Sequence, residues 1–184
     1  MNLISFIGLV LSPLAILTSA FFAFKAAKKA LKTQRSIARK RATLDVLLKA
    51  ETDPVLEEAT AIFRDVRDSS NFDKMLNPVS QRDKDDMLKL QAFLNHHELI
   101  FCGIMEDSLD ELFLFQYRRG IVIHYWHAIK EFVMAARNKS HNARAYQRFQ
   151  LFAEAWEQNR FITRQKLKPS DYLDNSTKPD QYQD

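Results

Sequence analysis

Glycine is scarce in this chain, with three in 184 residues, and only Gly103 and Gly120 lie beyond the first 24 positions. With five prolines besides, there is too little turn-forming material for a hairpin-rich β architecture. A single cysteine, Cys102, cannot close an internal disulfide, which agrees with a reducing compartment. The chain has no Gly-rich phosphate loop, no serine nucleophile elbow and no Cys-x-x-Cys. Nucleotide, α/β-hydrolase and thioredoxin-like chemistry therefore lack their motifs, and no cofactor is expected. Charge is missing altogether from the first 24 residues.

What stands there instead is an apolar run. Residues 3–24, LISFIGLVLSPLAILTSAFFAF, contain three Ser and one Thr as their only hydrogen-bonding side chains. Twenty-two helical residues would cover roughly 33 Å, enough for a hydrocarbon core of about 30 Å. The run predicts a transmembrane helix over 1–24, kinked at Pro13. A cleaved signal peptide needs a basic segment ahead of the apolar run, and only Met1 and Asn2 precede it. Eight cations follow without an acid among them: Lys25, Lys28, Lys29, Lys32, Arg35, Arg39, Lys40 and Arg41. Positive flanks remain in the cytoplasm. The expectation is thus a single-pass protein of a bacterial inner membrane, N-terminus outside and C-terminal domain cytoplasmic, its cations set against anionic headgroups of the bilayer. Within the apolar run, Ala15, Ser19 and Ala23 recur every four residues, a spacing that suits association of membrane helices and a homo-oligomer.

The net charge of +4 then reads differently. Eight cations lie before position 42, leaving 19 cations against 23 anions in residues 42 to 184, or −4. A mildly acidic body argues against nucleic acid as a partner, despite a pI near 9.2.

Helical periodicity continues throughout. A basic juxtamembrane helix is expected over 25–50, a helical cytosolic domain over 51–167 and a flexible tail over 168–184. Asp53 caps a helix with Pro54 in its first position, ending near Asp68. Ser80 with Asp83 marks the next start, and Ser108 with Glu111 another. That fourth helix is expected to run to Arg137, with a break near Gly120. A fifth is expected from about Ala143 to Thr163. The fold class expected is all-α: a transmembrane helix continuing into an antiparallel bundle of about four helices.

Three groups of side chains are candidates for chemistry. LNHHELIFCGI (94–104) places His96, His97, Glu98 and Cys102 within seven positions on a helix. His124 and His127 lie on the following helix at a spacing that can present two imidazoles to one ion, so His97, His124 and His127 form a candidate metal set. The Glu-x-x-His pairs of bundle di-metal sites are absent, which favours packing roles. Cys102, beside Phe101 and Ile104, reads as a small buried hydrophobe. Arg119 and His124, in RGIVIH, fit the Arg-x4-His spacing of helical ribonucleases, a spacing that chance alone yields about once in a chain of this composition. Finally, the aromatic stripe Phe113, Phe115, Tyr117, Tyr125, Trp126 and Phe132 has the makings of a partner groove or of core.

KRATLDVLLKAETDP, FLNHHELIFCGIMEDSLDELFLFQY and YWHAIKEFVMAARNK resemble a family of uncharacterised bacterial proteins. Its members are often prophage-borne, with one N-terminal membrane helix and a helical cytosolic domain of unknown function. The resemblance covers residues 35–156 and implies no catalytic residue. It also implies packing roles for His96 and His97, where family members tend to carry phenylalanine or another apolar residue. The function expected is a membrane-anchored interaction or regulatory protein that binds another protein or itself, with a prophage role in superinfection exclusion or phage defence. The alternative is a membrane-tethered ribonuclease using Arg119 and His124.

Overall fold

The computed structural model describes residues 3–69 and 72–163, with side chains from residue 16 onward. All regular structure among these residues is helical: α1 (Leu3–Thr52), α2 (Pro54–Ser69), α3 (Phe72–Leu76), α4 (Gln81–Met105), α5 (Glu111–Ser140) and α6 (Gln147–Glu157). The chain divides into two compact units, Met1–Arg39 and Lys40–Asp184. Residues 168–184, expected as a flexible tail, lie outside the described residues.

The first unit corrects the membrane assignment. Among the described residues no helix is long and apolar enough to cross a membrane. The transmembrane helix over 1–24 and the single-pass inner-membrane location are therefore not supported. Ala15 lies outside the described side chains, as do Gly8, Ser12 and Pro13. Ser19 and Ala23 are exposed, and the Ser19 hydroxyl donates within its own helix to the Ile16 carbonyl at 3.0 Å. The Lys25 ammonium sits 4.6 Å above the Phe21 ring, so one of the eight cations already has an aromatic partner.

In the second unit, local signals set most helix starts. Asp53 Oδ1 accepts from the Val55 amide at 2.9 Å ahead of Pro54. Ser80 and Asp83 complete a reciprocal capping box at the head of α4. α5 starts two residues later than Ser108 would place it, because Asp110 supplies the cap, accepting from the Phe113 amide at 2.9 Å. It then runs unbroken through Gly120 to Ser140, three residues beyond the expected end. One glycine costs a helix only about 1 kcal/mol, and thirty residues of packed helix absorb that. α6 is shorter than expected, 11 residues, because Tyr146 and Asn159 turn the chain at both ends with φ of 57° and 56°.

α4 is the central element. α2 packs on one flank, α6 on another, and α3 lies against α4 and α5. The core is built around an aromatic column that crosses three helices. Phe63 stacks on Phe93 at 4.4 Å, Phe93 meets His97 at 4.4 Å, His97 stacks on Phe149 at 5.1 Å, and Phe101 stacks on Phe149 and Phe152. Offset stacking adds about 0.5–1.5 kcal/mol per pair to the burial of these rings. Pairing of Glu98 with Phe149 and of Phe101 with Phe152 shows α6 running parallel to α4.

Candidate functional site

The residues singled out for chemistry do not converge. His97 is fully enclosed in the aromatic column and donates Nδ1–H to the Phe93 carbonyl at 2.9 Å. Burial pushes its imidazole down to about 3, the Phe93 carbonyl opposing and His96 and Arg118 adding to the fall. His97 is therefore a neutral ring at pH 7. His124 points away to α2, where its Nε2 accepts from the Arg67 guanidinium at 3.2 Å, since an arginine can only donate. His127 Nε2 donates to Glu157 at 3.0 Å. The three histidines of the candidate metal set thus face three different partners. Among the described residues, no group of three or more His, Cys, Asp or Glu side chains could hold a metal ion.

Arg119 and His124 are also kept apart. Arg119 donates Nε–H to the Trp156 carbonyl at 2.9 Å and reaches the Glu157 carbonyl at 3.4 Å, closing the C-terminal end of α6. Cations at helix C-termini satisfy the orphan carbonyls there, and that is the role Arg119 fills. Arg137 ties α5 to the Ala145 carbonyl and to Gln150, each at 2.8 Å, while His141 caps α5 in the left-handed region.

Two glutamates that periodicity does not reveal hold α6 in place. Glu98 accepts from the amides of Arg148 and Phe149 at 3.2 and 2.9 Å, capping a helix whose own cap residue, Tyr146, offers no side-chain bond. Glu111, buried at the head of α5, accepts four bonds: from the Trp156 indole at 3.1 Å, the Ile162 and Thr163 amides at 2.8 Å and the Thr163 hydroxyl at 2.6 Å. Their partners lie 45 to 52 residues away, beyond the reach of any sequence pattern.

A concavity among the described residues collects several side chains left over from these structural roles. The end of α1, with α2, α4 and α5, encloses a cleft of about 530 Å³. Phe93, His97 and Tyr125 border it from the aromatic column, and Leu56 and Ile121 add apolar surface. Arg64, Glu57, Thr60 and His96 supply polar groups, together with Arg118, which pairs with Glu51. Burial and the Arg118 charge hold the half-buried His96 imidazole below its usual range. Arg118 Nε is itself buried with no hydrogen-bond partner, although one arm of the guanidinium is engaged by Glu51. Tyr117 and Ile121, one turn apart on α5, stand 61 % and 43 % exposed at the rim. The aromatic stripe of α5 divides accordingly: Trp126 and Phe132 enter the core, while Tyr117 and Tyr125 line the cleft.

A family model described as a domain of unknown function, DUF4760, matches residues 4–156. No curated protein and no solved structure matches the chain. The match takes in every residue of the cleft and both glutamates that seat α6, and by its extent the chain belongs to the DUF4760 family.

Proposed function

We propose that this chain is a helical interaction module whose working surface is the cleft between α2, α4 and α5. It acts by binding another protein, in a bacterial or prophage accessory role. The observation that carries this reading is the rim of Tyr117 and Ile121 standing exposed over an aromatic floor, with Arg118 beside them. Tyrosine and arginine dominate the residues that carry binding energy at protein interfaces, because each combines a large contact area with directed polar groups. The cleft volume lies within the range of pockets that take a ligand or a partner's anchoring side chains. The cations of α1 from Lys25 to Arg41 are exposed except for the half-buried Arg39, which supports contact with an anionic surface as well. The nuclease alternative gathers no such support, since Arg119 binds the end of α6 and His124 binds Arg67.

A photo-crosslinking side chain placed at Tyr117 or Ile121 in the full chain tests the reading. One discrete adduct should form from these positions and not from Leu88 or Val79, which are exposed elsewhere on the same unit. Equal labelling from all four positions would sink it.

A further inference from the structure

Within the first unit, α1 carries its charge on one face. At about 3.6 residues per turn, Lys25, Lys28, Lys29, Lys32 and Arg35 fall within an arc of about 120°. Leu17 and Phe21 continue the same arc toward the N-terminus, and the Lys25 ammonium lies over the Phe21 ring at 4.6 Å. All five cations are exposed, and Leu17 and Phe21 are 67 % and 54 % exposed. Asp45 is the first acid of the chain, and none of the five cations has a carboxylate partner among the described residues. The opposite side of the helix holds Ser19, Ala23, Ala27 and Ala30, all small and uncharged. The face from Leu17 to Arg35 is therefore about 27 Å long, apolar at one end and cationic along the rest.

Water is a poor environment for such a face. Five like charges within about 15 Å of helix repel one another, and a Debye length of about 8 Å screens that only in part. Leu17 and Phe21 meanwhile keep apolar surface in contact with solvent. An anionic lipid surface relieves both costs. Its phosphates face the cations, whose long stems keep the charged heads at that level, and the layer beneath takes the apolar end. Phe22 and Phe24, 68 % exposed at the edges of the arc, widen that end. A nucleic acid would answer the charge alone. No ring stands between Lys25 and Arg35 to stack on a base, and Leu17 and Phe21 would stay in water.

We propose that the Leu17–Arg35 face of α1 is a docking surface for an anionic lipid interface. The helix lies along that surface, its cations among the phosphates and Leu17 and Phe21 dipped below them. A helix in this position crosses no hydrocarbon core, so it needs no membrane-spanning length. The surface shares no residue with the cleft, and neither assignment depends on the other.

Flotation of the full chain with vesicles tests the proposal, using pure phosphatidylcholine and phosphatidylcholine with about 30 % phosphatidylglycerol. Binding should be at least about tenfold tighter on the anionic vesicles at about 0.1 M salt, and should weaken at least about tenfold at about 1 M. Lys28→Gln with Lys32→Gln should weaken it about 25-fold, at about fivefold per cation. Lys84→Gln with Lys130→Gln removes the same charge from exposed positions of the second unit and should change binding less than about twofold. Phe21→Gln should weaken it by at least about threefold. Equal binding to both vesicles, indifference to salt, or equal losses from the two lysine pairs would overturn the proposal. Duplex DNA that strips the chain from the vesicles at equal phosphate, and binds Phe21→Gln as tightly as the parent, would assign the face to nucleic acid and overturn it too. A chain that ignores vesicles yet still crosslinks from Tyr117 would leave the cleft reading standing while this one falls.

Discussion

His97→Phe should flatten the acid sensitivity of this fold. His97 is enclosed among Phe93, Tyr125 and Phe149, and its imidazole is held at about 3 against an ordinary value of 6.5. Between those values the unfolded chain binds a proton that the folded chain refuses, so stability rises with pH across that window. The contribution is fully present above pH 6.5 and is lost progressively as the pH falls toward 3. The linkage relation gives a loss of about 2 kcal/mol between pH 7 and pH 5, and about 4 kcal/mol by pH 3. Phenylalanine keeps a ring in the column and removes the titration. The Phe93 carbonyl loses the imidazole donor but retains its helical partner, the backbone amide four residues on, so no buried acceptor is orphaned. His96 is pushed in the same direction by burial in both chains and cancels in the comparison. Urea denaturation at pH 7, 6 and 5 reads the effect. The difference in unfolding free energy between the two chains should move by about 2 kcal/mol in favour of His97→Phe at pH 5. Parallel pH profiles would refute the argument, because they would mean that His97 is protonated in the folded state.

Three further substitutions probe the seating of α6 and the continuity of α5. Glu111→Ala leaves the Trp156 indole, the buried Ile162 amide and the part-buried Thr163 amide without an acceptor, and should cost about 3–5 kcal/mol in chemical denaturation. Glu98→Ala removes the side-chain cap at the N-terminal end of α6 and should cost about 1–2 kcal/mol, with faster hydrogen exchange confined to residues 147–150. Gly120→Ala should stabilise by about 0.5–1 kcal/mol, because an added Cβ meets nothing within 4 Å and helix propensity improves, and it should raise the melting temperature by a few degrees.

Local chemistry was legible in the sequence and distant chemistry was not. The Ser80–Asp83 box and the Asp53–Pro54 start are written within four residues, and both helices begin where those residues place them. Gly120 suggested a break that α5 does not make, since packing along thirty residues outweighs one unfavourable propensity. The shortened α6 depends on Tyr146 and Asn159 in the left-handed region, which asparagine enters more readily than most residues but tyrosine does not announce. Glu98 groups with His96 and His97, and Glu111 reads as a helix-start signal with Ser108, because their actual partners are mostly backbone amides some fifty residues away. The apolar run at the start of the chain misled in a different way. It suggested a membrane span, whereas among the described residues no helix is long and apolar enough to cross a membrane. His96 and His97 both border the cleft, and His97 is in addition a stacked member of the aromatic column.

Filling the cleft tests the central claim most directly. Thr60 lines it from α2 and donates its hydroxyl only to the Leu56 carbonyl of its own helix. Thr60→Trp should therefore keep the melting temperature within about 3 °C of the parent, since it adds bulk to open space and removes no tertiary bond. With the fold verified in that way, the crosslink from Ile121 to an external protein should fall at least tenfold. Undiminished capture by a folded Thr60→Trp chain would contradict the assignment of the cleft as the working surface.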